Sequence, residues 1–392
     1  MLRVKEAYRA GLYAGQPFSA PNIFQTSSSQ HQPAGSEARW RCRDAAHHAN
    51  EDRTVMRLSR HLLLFLPPLA ALALVAAGCD VDHARTTINP VTEYGRAIQD
   101  VYVQIFWWTV AIFIVVEGLL IYAILKFRSK TESHEQPEQV HGHTRLEIAW
   151  TILPAVILIF IAVPTIRTIF AVAAEAPAGA LQINVTGHQW FWNFEYPEYG
   201  IRTANEIHVP VGRPVDLHLA SGDVIHSFWI PRIGGKRDLV PNRTNRITFT
   251  AEKPGHYFGQ CAEFCGASHA LMRFDLYADD AGSFEQWAEN EKSPAVAPED
   301  PKAREGATAF LTAGCIACHR IDGTPAQSRI GPELTHVGNR DKIAAGILDN
   351  TPENMARWIH DPQSVKPGAL MAKLELTDEQ VDAIVAYLQG LK

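Results

Sequence analysis

Gly259-Gln260-Cys261-Ala262-Glu263-Phe264-Cys265-Gly266-Ala267-Ser268-His269-Ala270-Leu271-Met272 is the stretch on which the reading of this chain turns. Two cysteines stand four apart, a histidine follows four later, and a methionine three after that. Thiolate, thioether and imidazole together suit copper or zinc, and the methionine favours copper, because thioether is a poor partner for zinc. The set lacks one ligand, and His226, in the apolar run Val224-Ile225-His226-Ser227-Phe228-Trp229, supplies it from upstream. One cysteine, two histidines and a weak methionine would make a mononuclear copper site. A second cysteine on the same loop lets both sulfurs bridge two metals, with the histidines as end caps and Met272 and a backbone carbonyl as weak axial donors. The competing reading is a buried cysteine pair or a disulfide, which leaves His226, His269 and Met272 unexplained.

The run Gln260–Met272 resembles the dinuclear copper (CuA) loop of haem–copper oxidase subunit II. The resemblance implies copper ligation by His226, Cys261, Cys265, His269 and Met272 and by the backbone carbonyl of Glu263. It also implies that the Glu263 side chain reaches a magnesium ion at the contact with subunit I, with Asp238 nearby. The similarity extends from about Asn89 to Tyr277.

Around this loop the chain divides by composition. Its 392 residues allow two to three domains, and a net charge of −6 gives no case for nucleic acid. Residues 1–55 are polar and without periodicity, and read as a disordered extension or a start-site artefact. Residues 56–79 read as a signal peptide: Arg57 and Arg60 precede an apolar run from Leu62 to Ala77, and Leu74-Val75-Ala76-Ala77-Gly78-Cys79 resembles a lipoprotein cleavage box, which makes Cys79 a candidate lipid anchor. Cys42 then falls outside the mature protein.

Residues 80–175 read as a transmembrane hairpin with helices over 101–127 and 148–170. Pro154 and Pro164 are tolerated as kinks in the second. Lys126, Arg128, Lys130 and Arg145 flank the connecting loop, which places it in the cytoplasm and both chain ends outside. Glu117, inside the first span, is expected to face protein as a hydrogen-bonded packing residue. Glu147 opens the second helix. A helix dipole favours an acid there, and the family resemblance of Leu146–Pro154 implies that it marks a proton-channel entrance into subunit I.

Residues 176–291 carry short alternating strands with Gly and Pro between them, as in Leu181–Val185, Glu206–Val209 and Pro214–Leu219, and imply a β-sandwich. The resemblance makes it cupredoxin-like and singles out Trp190 as an exposed residue through which electrons enter from cytochrome c. Phe191 is expected in the core. His188, His208, His218 and His256 read as structural.

A proline-rich linker, 292–301, leads to residues 302–392. There Cys315-Ile316-Ala317-Cys318-His319 is a covalent c-type haem motif, with thioether bonds from both cysteines and His319 on the iron. The segment resembles a small all-α class I cytochrome c. Gly331-Pro332-Glu333-Leu334 is similar to a loop of that family, a resemblance that implies that the Pro332 carbonyl orients His319. Met371 is expected as the sixth iron ligand, with Met355 as its rival inside a helix. His336 and His360 read as packing residues.

The whole is therefore expected to be multidomain: a two-helix transmembrane hairpin, a cupredoxin-like β-sandwich and a class I cytochrome c domain. It resembles a cytochrome c oxidase subunit II with a fused cytochrome c, held in a bacterial plasma membrane with both redox domains on the periplasmic side. The resemblance implies subunit I, and with it subunit III, as partners, and cytochrome c or another periplasmic protein as donor. Oxygen reduction and proton pumping would belong to subunit I. A free-standing electron-transfer lipoprotein and a copper-free quinol oxidase subunit are the rivals. Glu147 and Glu263 weigh against the first, and the filled copper pattern and haem motif against the second.

Overall fold

The computed structural model describes residues 83–128, 139 and 141–392. The expected signal segment, Cys42, Cys79 and Lys130 lie outside the described residues.

Two long apolar helices come first, α1 (Glu93–Phe127) and α2 (Thr144–Val172). Helix α1 begins eight residues before the apolar run does. Its 35 residues span about 52 Å at 1.5 Å per residue, well beyond a hydrocarbon core of about 30 Å. The surplus turns are polar and dock on the β-domain. The Thr92 side chain caps the helix by accepting from Gly95 N–H at 2.9 Å. Arg96 pairs with Glu252, and Glu93 accepts from Thr250 N–H at 3.0 Å. Tyr94 is buried in the sandwich core with Ile98 packed against it, so these turns are held by tertiary contacts to the β-domain and not by the apolar run that hydropathy marks. The helices touch through Gln104 Nε2, which donates to Phe160 O at 3.0 Å, and through Trp108 stacked on Phe160. Most of their other large apolar side chains are exposed. Glu117 is half-buried between exposed neighbours.

The β-domain is a sandwich of two five-stranded sheets. One contains β1 (Leu181–His188), β2 (Phe191–Tyr196), β3 (Ile201–Ala204), β5 (Pro214–Ser221) and β8 (Asn245–Thr250), in the order β3-β2-β1-β5-β8. The other contains β4 (Glu206–Pro210), β6 (His226–Trp229), β7 (Arg237–Leu239), β9 (Gly255–Cys261) and β10 (Arg273–Asp279), in the order β4-β10-β9-β6-β7. β1 buries every second residue, Leu181, Ile183 and Val185 among them. In antiparallel register Val185 faces Phe194 and Gly187 faces Trp192. Partners across a pair share one face, so Trp192, Phe194 and Tyr196 fill the core. That register corrects the expectation for Phe191. It pairs with His188 on the opposite face, stacked at 4.8 Å, and is only half-buried.

Helix α3 (Ala281–Glu291) covers one end of the sandwich with Phe284 and Ala288 buried. The linker is anchored: Ala295 N–H donates to Asp322 O at 3.0 Å and His336 Nε2 bonds Ser293 O at 2.9 Å. The C-terminal domain follows with α4 (Pro301–Thr312), a short hairpin of β11 (Lys342–Ile343) and β12 (Leu348–Asp349), α5 (Pro352–His360), α6 (Pro362–Val365) and α7 (Asp378–Gln389). Helices α4 and α7 cross at Gly306, where a Cβ would lie 1.8 Å from Ala383 O. Phe310, Val337, Ile359 and Ile384 pack the core beside them.

Candidate functional site

Strand ends and one loop gather six donors around the Cys261–Cys265 pair, with His226, Cys261, Cys265 and Met272 buried and Glu263 and His269 half-buried. Cys261 ends β9, and its Sγ lies 3.7 Å from Cys265 Sγ, 3.9 Å from His226 Nδ1 and 3.2 Å from Glu263 O. Cys265 Sγ lies 3.5 Å from His269 Nδ1 and 3.9 Å from Met272 Sδ. The thiols are free and far beyond a disulfide's bond length of about 2 Å. Two sulfurs on one tetrahedral metal with bonds of about 2.3 Å would stand about 3.8 Å apart. The donor spacing therefore fits bridging metal. The electrostatics agree. The Cys261 thiol is pushed down in pKa, first by its hydrogen bond with Cys265, and Cys265 beside it is pushed up, first by that same bond and then by burial. Two adjacent buried thiolates repel, and a cation between them removes the conflict. His226 opens β6 and packs on β1 where Gly187 leaves room: a Cβ there would lie 3.0 Å from the imidazole.

The donors are themselves held from behind. Asp223 Oδ1 bonds His226 Nε2 at 2.7 Å, and the same carboxylate accepts from Gln189 N–H at 2.7 Å. Burial disfavours the charge on Asp223, but the bonds from His226 and the Gln189 and Val224 amides outweigh it and lower its pKa. Gln189 Nε2 donates to Cys265 O at 2.7 Å, and Trp190 Nε1 donates to the same oxygen at 3.0 Å.

Trp190 was expected exposed, and the structure corrects this: it is 8% exposed. The cause is the C-terminal domain, which lies over it. A Cβ on Gly266, in the copper loop, would approach Trp190 Cζ2 to 2.9 Å, and a Cβ on Gly368, in the loop before Met371, would approach Trp190 Cη2 to 3.1 Å. Both glycines have positive φ, 116° and 82°. The indole is thus clamped between a loop of each domain.

Beside Trp190 lies a cavity of about 260 Å³ whose wall includes Cys315, Cys318, His319, Met371 and Trp190 itself. His319 Nδ1 donates to Pro332 O at 2.9 Å, the orientation expected of that carbonyl. Burial lowers the His319 pKa, which keeps the imidazole neutral, as an iron ligand must be. Met355 also reaches the cavity wall, but its sulfur accepts from Gln389 Nε2 at 3.8 Å. Two cysteines, a neutral oriented histidine and a methionine on an apolar wall fit a covalent haem.

The remaining candidates stand apart from this pair of sites. Glu147 Oε1 accepts from His143 N–H at 3.1 Å, closing the first turn of α2. Glu263 turns its carboxylate outward to Lys236 at 3.1 Å, both exposed, beside the 77% exposed Phe264. Asp238 pairs with Ser227 in the β6–β7 register. His208 lies between Asp279 and Glu206 at 2.7 and 3.0 Å. Its burial opposes a charge, but both carboxylates hold one and raise its pKa to about 9. His188 bonds Asn193, while His218 and His256 pair with Asp216 and Asp275.

Sequence reasoning missed Gln189, Asp223, Gly266, Gly368 and Lys366. Asp223 had a signal, an acid three residues before a ligand histidine. Lys366 had none.

Three family descriptions match the chain: "Cytochrome C oxidase subunit II, transmembrane domain" over residues 91–168, "Cytochrome C oxidase subunit II, periplasmic domain" over 200–277, and "Cytochrome c" over 303–392. Cytochrome c oxidase subunit 2 of Alkalihalophilus pseudofirmus is 38% identical over 343 residues, which is 86% of this chain and 99% of that protein. The protein of the same name from Bacillus sp. strain PS3 is 41% identical over 286 residues, 68% of this chain and 79% of its own. Among solved structures, the periplasmic domain of subunit II of cytochrome oxidase of Bradyrhizobium japonicum is 32% identical and covers 31% of this chain and 96% of its own, with a TM-score of 0.29.

Proposed function

The chain belongs to the cytochrome c oxidase subunit II family, and from that premise we propose that it is the electron-receiving subunit, holding both a dinuclear copper centre and one covalent haem c. Membership makes it a membrane protein whose partner is the catalytic subunit I of a haem–copper oxidase. His226, Cys261, Cys265, His269, Met272 and the Glu263 carbonyl would hold the copper pair. Cys315 and Cys318 would attach the haem, with His319 and Met371 on its iron. Both groups supply reversible one-electron chemistry when bound.

The chain's own residues do the rest. Pro332 fixes the His319 ring, and Asp223 fixes His226. The closely packed sandwich holds the copper donors at the ends of rigid strands, so they shift little when the charge changes. Trp190 joins the two sites: it forms part of the wall of the C-terminal cavity, and its indole N–H bonds the carbonyl of Cys265. That double contact carries the proposal. Electrons received by the C-terminal domain would reach the copper donors past Trp190 and leave toward subunit I, which would reduce oxygen to water and pump protons. Subunit III as a further partner, cytochrome c or another periplasmic donor, a magnesium ion at the Glu263 carboxylate, a proton-channel role for Glu147 and a lipid anchor at Cys79 belong to the same reading. The domain limits 80–175, 176–291 and 302–392 follow it.

The test is EPR with visible spectroscopy on the copper-loaded full chain. An electron shared by two copper nuclei gives seven hyperfine lines and a single copper gives four. Seven lines beside a haem c absorption are expected. Four lines would overturn the dinuclear assignment. Trp190→Ala is expected to slow transfer between the two centres while both spectra persist.

A further inference from the structure

Lys366 is 2% exposed, yet no carboxylate lies within ion-pair distance of its ammonium among the described residues. It lies just before the loop that carries Gly368 and Met371. Its Nζ donates to Trp190 O at 2.5 Å and to Ala344 O at 3.2 Å, one carbonyl in each domain. Burial works against the charge and pulls the lysine's pKa down to about 7, with the nearby Cys265 pulling weakly the other way. A leucine or methionine would fill the same volume without that penalty. What neither could do is tie the two carbonyls together.

The surroundings of Lys366 are built for contact. Ser268 Oγ donates to Pro367 O at 2.5 Å, and Arg273 N–H donates to Ala345 O at 3.1 Å. Tyr277 OH donates to Asp341 Oδ2 at 2.6 Å. The tip of the β11–β12 hairpin, Ala344-Ala345-Gly346, is left-handed throughout, with φ of 53°, 63° and 73°. That conformation is unfavourable for alanine, and here it aims two successive carbonyls, one at Lys366 and one at Arg273.

We propose that Lys366 is a positioning residue: its buried side-chain nitrogen, donating to the carbonyls of both Trp190 and Ala344, fixes the C-terminal domain on the Trp190 face and closes that face to any separate donor protein. The electron-transfer consequence rests on the reading of Trp190 given above. The docking itself does not.

The experiment uses the full chain in the purified oxidase complex and follows hydrogen exchange at the Arg273 amide, whose acceptor is across the domain boundary. Lys366→Met is expected to raise that exchange about tenfold or more, the loss of two buried hydrogen bonds, with the haem spectrum intact. Lys366→Arg keeps charged donors and is expected to restore much of the protection. Unchanged exchange in Lys366→Met overturns the proposal. If Lys366→Met fails to attach haem, Lys366→Gln, too short to span both carbonyls, should give the same rise, and no rise with it also overturns the proposal. The rate of transfer between haem and copper is measured on the same samples. Faster exchange with slower transfer supports both readings. Faster exchange with unchanged transfer supports the docking role of Lys366 and removes Trp190 from the electron path.

Discussion

The two candidate redox sites are built in opposite ways. Five of the six proposed copper donors come from Cys261–Met272, and the sixth, His226, from the neighbouring strand β6, which pairs with β9. The proposed haem ligands run from Cys315 to Met371, gathered around a cavity by a helical domain whose helices cross at a glycine. The first site is one loop fastened to two strands. The second exists only where distant segments pack. A loop site is broken by changing a donor and is otherwise robust, whereas a packed site is broken by changing the packing.

The sharpest way to test that contrast is to remove one copper donor. Cys265→Ser is expected to abolish the two-copper spectrum and stop electron delivery, while the haem absorption stays at full strength; metal analysis and EPR read the first, visible absorption the second. Loss of haem in this variant would show that the sites fold as one. The converse is Gly306→Ala. Its Cβ meets the Ala383 carbonyl in the α4–α7 crossing, and overpacking of this kind costs about 1–3 kcal/mol or more. Calorimetry should show the C-terminal domain melting earlier, with copper binding unchanged.

A third test loads the sandwich alone through pH. The folded-state pKa of His208 is raised to about 9, above about 6.5 for an unfolded chain. Its contribution is therefore complete below pH 6.5 and is lost as pH rises through 9. Over that window the sandwich should lose up to about 3 kcal/mol. His208→Gln should flatten the pH dependence of its melting temperature, and an equally steep curve in the variant would sink the assignment. The smallest effect expected is at Asp223, which holds His226 without being a donor. Asp223→Ala should weaken copper binding about 10–100-fold, as measured by competition with a chelator, with the seven-line pattern retained at saturation.

The copper loop and the haem motif were legible because ligand chemistry fixes residue types at short spacing. The two membrane helices were legible because lipid demands an apolar run. Phe191 was misplaced because an aromatic stretch does not state its own phase; the pairing of Val185 with Phe194 does. The first two turns of α1 were missed because the Arg96–Glu252 ion pair, the hydrogen bond from the Thr250 amide to Glu93 and the packing of Tyr94 in the sandwich core hold them, and hydropathy does not see those.

The sequence by itself named the candidate donors at each site, the two apolar spans and the order of the domains, because each is written in local residue chemistry. Only the tertiary structure decided that Trp190 is covered, that Gly266 and Gly368 clamp its indole from two domains, and that Lys366 spans two carbonyls across the boundary. The Lys366–Trp190 bond alone joins residues 176 positions apart, and no local pattern records which surfaces two folded domains turn toward each other.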